Sequence, residues 1–573
     1  MMSKFILLFI FISLTSGLLA QFYDNHWMMG YAGGDETPPT DSFGISILSF
    51  YEAELRVENN QTIDLDFNGS GNALSDFVGD LLLFSNNQEI RSFDDQLIGN
   101  GLLQGNGDAE LILPQSFIFL PFDIQFLTHY VQMNYTDVSP TTGRNLSTSF
   151  ISTSQVMDRF LEIENILDDG LTTGELTACR HANGRDWWVL VPAANEPYIY
   201  SVLFNPNGVA SIDTTEVDYN MQHGLGQAKF SPDGQHYVRY NKVTIGEDDY
   251  LDIFDFDRCN GQISNHRHIS IGPDANSGGV AISPSSQYLY VSHYNHIFQY
   301  DLWAEDVFST QDTVATYDGY LEWNIFHGRF FMAELAPNGK IYLNSSSGIK
   351  KLHVIESPDE GGEACNVQQH SIQLPNNNAF TLANHPNYRL GPIDGSSCDS
   401  LGIDNLPRAY YRTDRDTIDS LHFHFQDLSF YEPADWVWDF GDNTSSFERH
   451  PDHTYAAPGI YEVCLTVSND LGTDTHCRTL DLGPVSVSNP PEIQITTFPN
   501  PVQDVLVFDL GEYLPLSGRF ILHDAVGREV LSQKVLYRQA RFDLSAIPAG
   551  MYYYSFWDAG VQLAQGRVLK LAE

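Results

Sequence analysis

Basic residues are scarce. Across 573 residues, 29 Lys and Arg stand against 74 Asp and Glu, a formal net charge of −45. Nucleic acid is disfavoured as a partner, because its recognition rests on basic patches. Anionic membrane surfaces are disfavoured for the same reason. Cations and basic partners remain open, and the acidic excess suits solubility. Charged residues make up only 18% of the chain, and no long stretch shows clean helical periodicity. After the N-terminus no run approaches 18 apolar residues, so no membrane-spanning helix is expected. Catalytic signatures are missing as well. There is no Gly-x-Ser-x-Gly elbow, no His-Glu-x-x-His, no Gly-x-x-x-x-Gly-Lys-Ser/Thr loop and no Gly-x-Gly-x-x-Gly followed by a helix. The Ser-x-Asp-x-Gly-x-Thr-Trp box of sialidase-type propellers is also lacking. No CxxC pair or zinc-like cysteine spacing occurs.

Aromatics reach 13%, with 44 Gly and 27 Pro, a mix that favours strands and turns. The length implies three or four domains. Residues 1–20 read as a secretory signal. Lys4 is the positive start, Phe5 to Leu14 the apolar run, and Ala20 precedes a cut at Gln21. Six cysteines fit an oxidising compartment.

A repeat follows. Phe230-Ser-Pro-Asp-Gly234, Ile282-Ser-Pro-Ser-Ser286 and Leu335-Ala-Pro-Asn-Gly339 each precede a Tyr-bearing strand, and their prolines are 52 and 53 residues apart. A fixed period of this size marks a repeat architecture. Pro presets the first turn dihedral, and Gly or Asn permits positive φ. Third strands are read at Asp252–Phe256, Ile297–Tyr300 and Ile349–Val354. Earlier units are read at Gly79–Phe84, Phe117–Leu120 with Tyr130–Met133, and Asp186–Val191 with Tyr198–Leu203. Four-stranded blades around an axis are the natural solution. Residues 22–395 divided by this step give about seven blades; six or eight stay open, because Leu161 to Leu171 reads as a short helical excursion. The pattern resembles propellers of the WD-repeat and lactonase-like kind at the level of fold. His181-Ala-Asn-Gly-Arg-Asp-Trp-Trp188 resembles a segment of secreted Bacteroidota proteins, which implies a turn and a packed Trp pair. Trp187 and Trp188 are also candidates for stacking on a sugar.

His266 and His268, two apart on a strand, share a face, but a third metal partner is not apparent. His293 and His296 form another pair. Asp248, Asp249, Asp252, Asp255 and Asp257 are the densest acidic stretch, and Asp252, Asp255 and Asp257 are calcium candidates, although the spacing matches no EF-hand.

Further on, Tyr461, Val463, Leu465 and Val467 alternate with polar residues, and Asn469-Asp-Leu-Gly472 turns the chain. With Asp470 and Leu471 at the turn, Cys464 faces Cys477 across a hairpin. The other pairs are then read as Cys365–Cys398, closing the region before the sandwich, and Cys179–Cys259 by elimination. Trp438-Asp-Phe-Gly-Asp442, His453-Thr-Tyr455, Pro458-Gly-Ile-Tyr461 and Val467-Ser-Asn469 resemble the PKD domain, an immunoglobulin-like module. The resemblance covers residues 405–485, with Asn443 where Gly is usual. It implies extracellular spacing, adhesion or sugar contact, with Trp438 and Tyr455 in the core and Gly441 in a turn.

Residues 486–492 form a Pro- and Ser-rich linker. Residues 493–573 then read as a compact sandwich. Pro499-Asn500-Pro501, Gly527-Arg528, Asp543-Leu-Ser545 and Pro548-Ala-Gly550-Met-Tyr552 resemble the type A C-terminal sorting domain of the type IX secretion system. Phe498 stands where Tyr is common. The resemblance implies passage through the periplasm to the outer-membrane surface or the medium, with the secretion machinery as a partner.

The fold expected is therefore all-β and multi-domain: a β-propeller over 22–395, then two immunoglobulin-like sandwiches. The function expected is non-enzymatic binding of an extracellular glycan or protein, with no cofactor certain and calcium open. The alternatives are a polysaccharide hydrolase or lyase with acids meeting at the axis, and a structural spacer or matrix protein.

Overall fold

The computed structural model describes residues 22–571, apart from 32–42, 61–62, 103–114, 123–126, 136–143, 155–156, 161–163, 223–224, 243–247, 274–277, 483–494, 525–527, 559–560 and the single positions 64, 68, 169, 417, 512, 514, 516, 517 and 536. The proposed signal, residues 1–20, lies outside the described residues. Among them the chain is almost wholly β, with two short 3-10 turns at Val307–Thr310 and Gly362–Cys365 and no α-helix. No described helix is long and apolar enough to cross a membrane.

Antiparallel sheets follow one another through the first part of the chain, mostly built as meanders in sequence order. The first holds His26–Tyr31, Gly44–Tyr51 and Glu54–Asn60. The second runs from Asn72–Ser75 to Leu97–Leu102, and the third from Phe117–Phe122 to Met157–Phe160. Glu164–Leu167, where a helical excursion is expected, is instead a strand paired with Leu146–Thr148. The fourth sheet holds Thr177–Arg180, Trp187–Pro192, Tyr198–Asn205 and Gly208–Glu216. The fifth holds Leu225–Phe230, His236–Lys242, Asp249–Phe256 and Ile263–Gly272. The sixth runs from Gly278–Ile282 to Asp312–Thr316, and the seventh from Ala333–Leu335 to Val367–Asn378.

Burial grades outward within a sheet. In the fourth, the two inner strands are buried on both faces, the third alternates, and the last is mostly exposed. Inner strands are therefore apolar on both faces, while outer ones alternate with period two. The Pro-Asp-Gly turn of the fifth sheet shows why glycine is required. Gly234 has φ 72°, and a Cβ there would meet Arg258, Cys179 and Leu390 at 2.7–2.9 Å.

The ring closes on itself. Trp27, Met29, Leu48 and Phe50 of the first sheet pack with Tyr342, Leu352 and Val354 of the seventh. His26 Nδ1 lies 2.9 Å from Ser75 Oγ, joining first and second sheets. Other apolar clusters join second to fourth, fourth to fifth, fifth to sixth and sixth to seventh. Such a closed series of meanders is a β-propeller.

The axis is occupied by the chain itself. Buried Asn384 donates from Nδ2 to the carbonyls of Phe117 (3.2 Å) and Leu176 (2.9 Å), and its Oδ1 accepts from Gln115 Nε2 (3.0 Å). Its backbone carbonyl accepts from Asn72 Nδ2 at 2.6 Å. Tyr388 donates to the Phe119 carbonyl, Asn387 to that of Pro232, and Asn344 to that of Thr381. A segment bonded to the inner edges of the second, third, fourth, fifth and seventh sheets can lie only at the axis. Two glutamines extend this polar centre by imitating peptide units. Gln115 exchanges both bonds with Ala228, while Gln227 spans the fifth to seventh sheets through Val280 N, Ala333 N and Ala333 O.

The sandwich that follows belongs to the same compact unit as the ring. Trp438 and Tyr455 are buried, and Gly441 and Asn443 have positive φ, as a tight turn requires. Tyr410 accepts from Ala53 N at 2.6 Å, and Arg478 pairs with Glu52 and Glu54, so this module packs on the first sheet of the ring. Arg412 also donates to the Asn338 carbonyl in the seventh sheet's turn.

The second compact unit is the C-terminal sandwich. Thr496–Phe498, Val505–Asp509 and Gln539–Asp543 form one sheet, and the four strands from Gly518–His523 to Val561–Lys570 form the other. Phe508, Phe520, Phe542 and Phe556 fill the space between them.

Cysteine pairing corrects part of the expectation. Cys464–Cys477 bridges the hairpin, but the second bond is Cys259–Cys398, and Cys179 and Cys365 are buried thiols. Cys179 lies inside the fourth–fifth cluster and Cys365 inside the sixth–seventh, so Cys365–Cys398 and Cys179–Cys259 do not form.

Candidate functional site

Trp187 and Trp188 are 0% and 2% exposed. Trp187 donates to the Pro121 carbonyl (3.1 Å) beneath the Arg180 guanidinium, and Trp188 donates to the Arg258 carbonyl (2.9 Å). They bind neighbouring sheets together and present no ring to a sugar, which corrects the stacking expectation. Their strand is an inner one, buried on both faces.

The three calcium candidates do not converge either. Asp257 caps its turn through Cys259 N and Asn260. Asp255 pairs with Arg267 (2.5 Å) and accepts from Asn265 (3.0 Å). Asp252 faces the other way, into a polar row across the fifth sheet. The three carboxylates point to separate sets of partners and share no common centre, so they do not form one calcium site.

That row is the most concentrated chemistry in the ring. Glu175, Arg239 and Asp252 have fully buried side chains, with Arg239 bonded to Glu175 at 2.6 Å and to Asp252 Oδ2 at 3.1 Å. Asp252 lies opposite Arg239 on one side and His268 on the other. Its Oδ1 meets His266 Nε2 at 2.9 Å and His268 Nδ1 at 2.7 Å. Exposed Asp218 takes His266 Nδ1 at 2.7 Å. Burial would raise the Asp252 carboxyl, but the two imidazole bonds and the Arg239 charge outweigh it and hold the group well below the usual carboxylate range. The sequence places both histidines on one face but does not show this partner. It sits on the adjacent strand, across a pairing with a bulge between Ile253 and Asp255.

At the axis the acids are paired. Glu334 bonds Lys229 within the buried centre, and Asp24 holds Arg389 in two bonds of 2.7 Å. Burial pushes the Glu334 carboxyl up to about 7 against the lowering effect of Lys229. A cleft of about 880 Å³ lies beside these pairs. Pro232, Pro284 and Pro337 of the three repeat turns line it on one side, and Leu428, Phe430 and Arg449 of the following sandwich on the other.

Elsewhere, the hairpin Leu321–Glu322 with Phe326–His327 carries apolar side chains into solvent. Trp323 is 55% exposed and Ile325 69%, and Leu321 and Phe326 are exposed too. Trp323 and Asn324 both hold left-handed φ, 50° and 59°.

In the C-terminal unit, Asn500 accepts from Leu569 N (3.0 Å) and donates to the Arg567 carbonyl (2.7 Å), tying the Pro499-Asn500-Pro501 entry to the last strand. Arg528 pairs with Asp524 at 2.8 Å. Gly550 opens the strand Gly550–Asp558, and Gly527 lies outside the described residues.

Residues 409–482 match the PKD domain family, and residues 496–568 match the secretion system C-terminal sorting domain. Three solved structures are similar to parts of the chain. The PKD1 domain of Vibrio cholerae metalloprotease PrtV is 29% identical over 14% of this chain and 99% of its own, with TM-score 0.13. PorZ, a bacterial surface component of the type IX secretion system of Porphyromonas gingivalis, is 10% identical over 92% of this chain and 74% of its own, with TM-score 0.26. The periplasmic gluconolactonase of Pseudomonas aeruginosa is 12% identical over 77% and 99%, with TM-score 0.29. The sorting domain marks the chain for export by type IX secretion to the cell surface or the medium.

Proposed function

We propose that this exported chain is a non-enzymatic binding protein, whose propeller of seven blades presents a contact surface to an extracellular glycan or protein. The domains would be the propeller over 22–395, the PKD-like sandwich over 405–485 as its brace, the linker over 486–492 and the sorting tail over 493–573.

The observation that carries this reading is the exposed hairpin at 321–327. A tryptophan in the left-handed region carries a conformational cost of about 1–3 kcal/mol, and the Trp323 ring meets Phe326 edge-on at 6.0 Å while staying 55% exposed. Contiguous exposed apolar groups on an exported protein mark interaction sites, and Trp heads the residues that anchor them. The filled axis favours binding over polysaccharide hydrolysis, because Glu334 and Asp24 are each committed to a cation there.

The test is a photo-crosslinking residue placed at Trp323 on the exported chain, with Ile418 of the sandwich, also exposed, as the control position. A discrete adduct from position 323 alone supports the reading. Equal labelling from both positions, or none from 323, overturns it.

A further inference from the structure

We infer that Asp252 Oδ1, His266 Nε2 and His268 Nδ1 form a binding site for one divalent transition-metal ion of the zinc class, with a fourth position left open. The three atoms lie within 4.8 Å of one another. Around a tetrahedral ion with bonds of about 2.0–2.1 Å, ligand atoms sit roughly 3.3 Å apart. The two measured separations, 2.9 and 2.7 Å, need to open only by a few tenths of an ångström.

Each ligand is held in one orientation by a neighbour that is not itself a ligand. His266 lies flat on Phe254, centroids 4.4 Å apart and planes 5° from parallel. His268 stacks on Tyr250 at 5.0 Å and lies against Tyr219 at 4.3 Å, the two tyrosines also meeting each other at 6.1 Å. Asp218 takes His266 Nδ1, which leaves Nε2 to bind a cation, the carboxylate–histidine arrangement that orients metal ligands. Arg239 fixes Asp252 through its other oxygen, Oδ2. Beside the cluster, the Tyr219 hydroxyl is buried without a hydrogen-bond partner.

Two imidazole nitrogens and one carboxylate oxygen suit zinc and its neighbours, whereas calcium takes oxygen ligands. The competing arrangement puts a proton where the ion would be, with His266 an imidazolium between Asp218 and Asp252.

The experiment uses the full exported chain, stripped with chelator and titrated with Zn²⁺ or Co²⁺ alone. Calorimetry follows Zn²⁺, and visible absorption follows Co²⁺. The expected result is one equivalent bound, lost in His268→Ala and in His266→Ala. Asp218→Asn should weaken it roughly 10- to 100-fold, the usual effect of removing such an orienting partner. A second His and Asp group, His422, His424 and Asp452, lies on the sandwich, so His424→Ala is the control and should leave that equivalent in place. Calcium should not compete. No bound equivalent in the wild-type chain overturns the inference whatever the variants do. Retention of the equivalent in both histidine variants, or its loss in His424→Ala, overturns it as well.

Discussion

Replacing Asn384 by Ala tests whether the axis is built as described. Its side chain donates to two carbonyls and accepts from Gln115 at 3.0 Å, all within the buried centre, with Lys229 Nζ at a longer 3.4 Å from the same Oδ1 and not counted below. Gln115 keeps its bonds to Ala228, but the Phe117 and Leu176 carbonyls lose this donor. At about 1 kcal/mol for each of three lost bonds, the low end for buried groups, the cost is about 3 kcal/mol. A ring of roughly 360 residues unfolds with an entropy of about 0.75 kcal/mol per kelvin, so the melting temperature should fall by about 4 °C. Asn384→Asp should also destabilise, because a carboxylate would face the two carbonyls, with Lys229 Nζ 3.4 Å from Oδ1 offsetting part of that cost. Thermal unfolding followed by tryptophan fluorescence is the assay, since Trp27, Trp187 and Trp188 are all buried in the ring. Asn207→Ala, on an exposed turn, should move the midpoint by less than about 1 °C. A shift below about 1 °C in both Asn384 variants would refute the seating of this segment on the axis.

Further outcomes follow from the same geometry. Disulfide mapping should find Cys259 joined to Cys398 and Cys464 to Cys477, with Cys179 and Cys365 alkylated only after denaturation. By loop length, removing Cys259–Cys398 should cost roughly 5 kcal/mol and Cys464–Cys477 roughly 3 kcal/mol. A smaller loss for the longer loop in urea unfolding would contradict this order. Glu334 has its folded pKa raised to about 7 from 4.5. Its contribution is therefore fully present below pH 4.5 and lost as pH rises through 7. Stability of Glu334→Gln measured against wild type should improve across that window, and a flat difference would count against the burial of this carboxyl. Asn500→Ala should lower the stability of the C-terminal sandwich by about 1–2 kcal/mol, seen as faster proteolysis of the tail; an unchanged rate would count against the latch.

What was legible in the sequence was local. The Ser-Pro-Asp-Gly repeat announces its turns because proline and glycine act on their own dihedrals, and alternation then sets the strands around them. Cys464 and Cys477 are legible because a short hairpin fixes their register. The segment around Asn384 is not legible, because its hydrogen bonds go to carbonyls more than 150 residues away and leave no periodic trace. Asp252 and the His266–His268 pair each stand out alone. Their meeting depends on strand pairing through a bulge, which composition and spacing do not specify. Trp187 and Trp188 mislead for a related reason: a tryptophan suited to a sugar is equally suited to the seam between two blades. The exposed hairpin at 321–327 lies between recognisable repeats, and nothing in its residues separates a core strand from a solvent-facing one.

The central claim is that this exported chain binds an extracellular ligand through that hairpin. The most direct measurement is a glycan and polysaccharide array, with a surface-protein pull-down in parallel, comparing the exported chain with a Trp323→Ser, Ile325→Ser, Phe326→Ser variant. The account predicts saturable binding to one class, lost in the variant, with no reducing ends released. Binding that survives the triple change, or release of reducing ends by the wild-type chain, would contradict it.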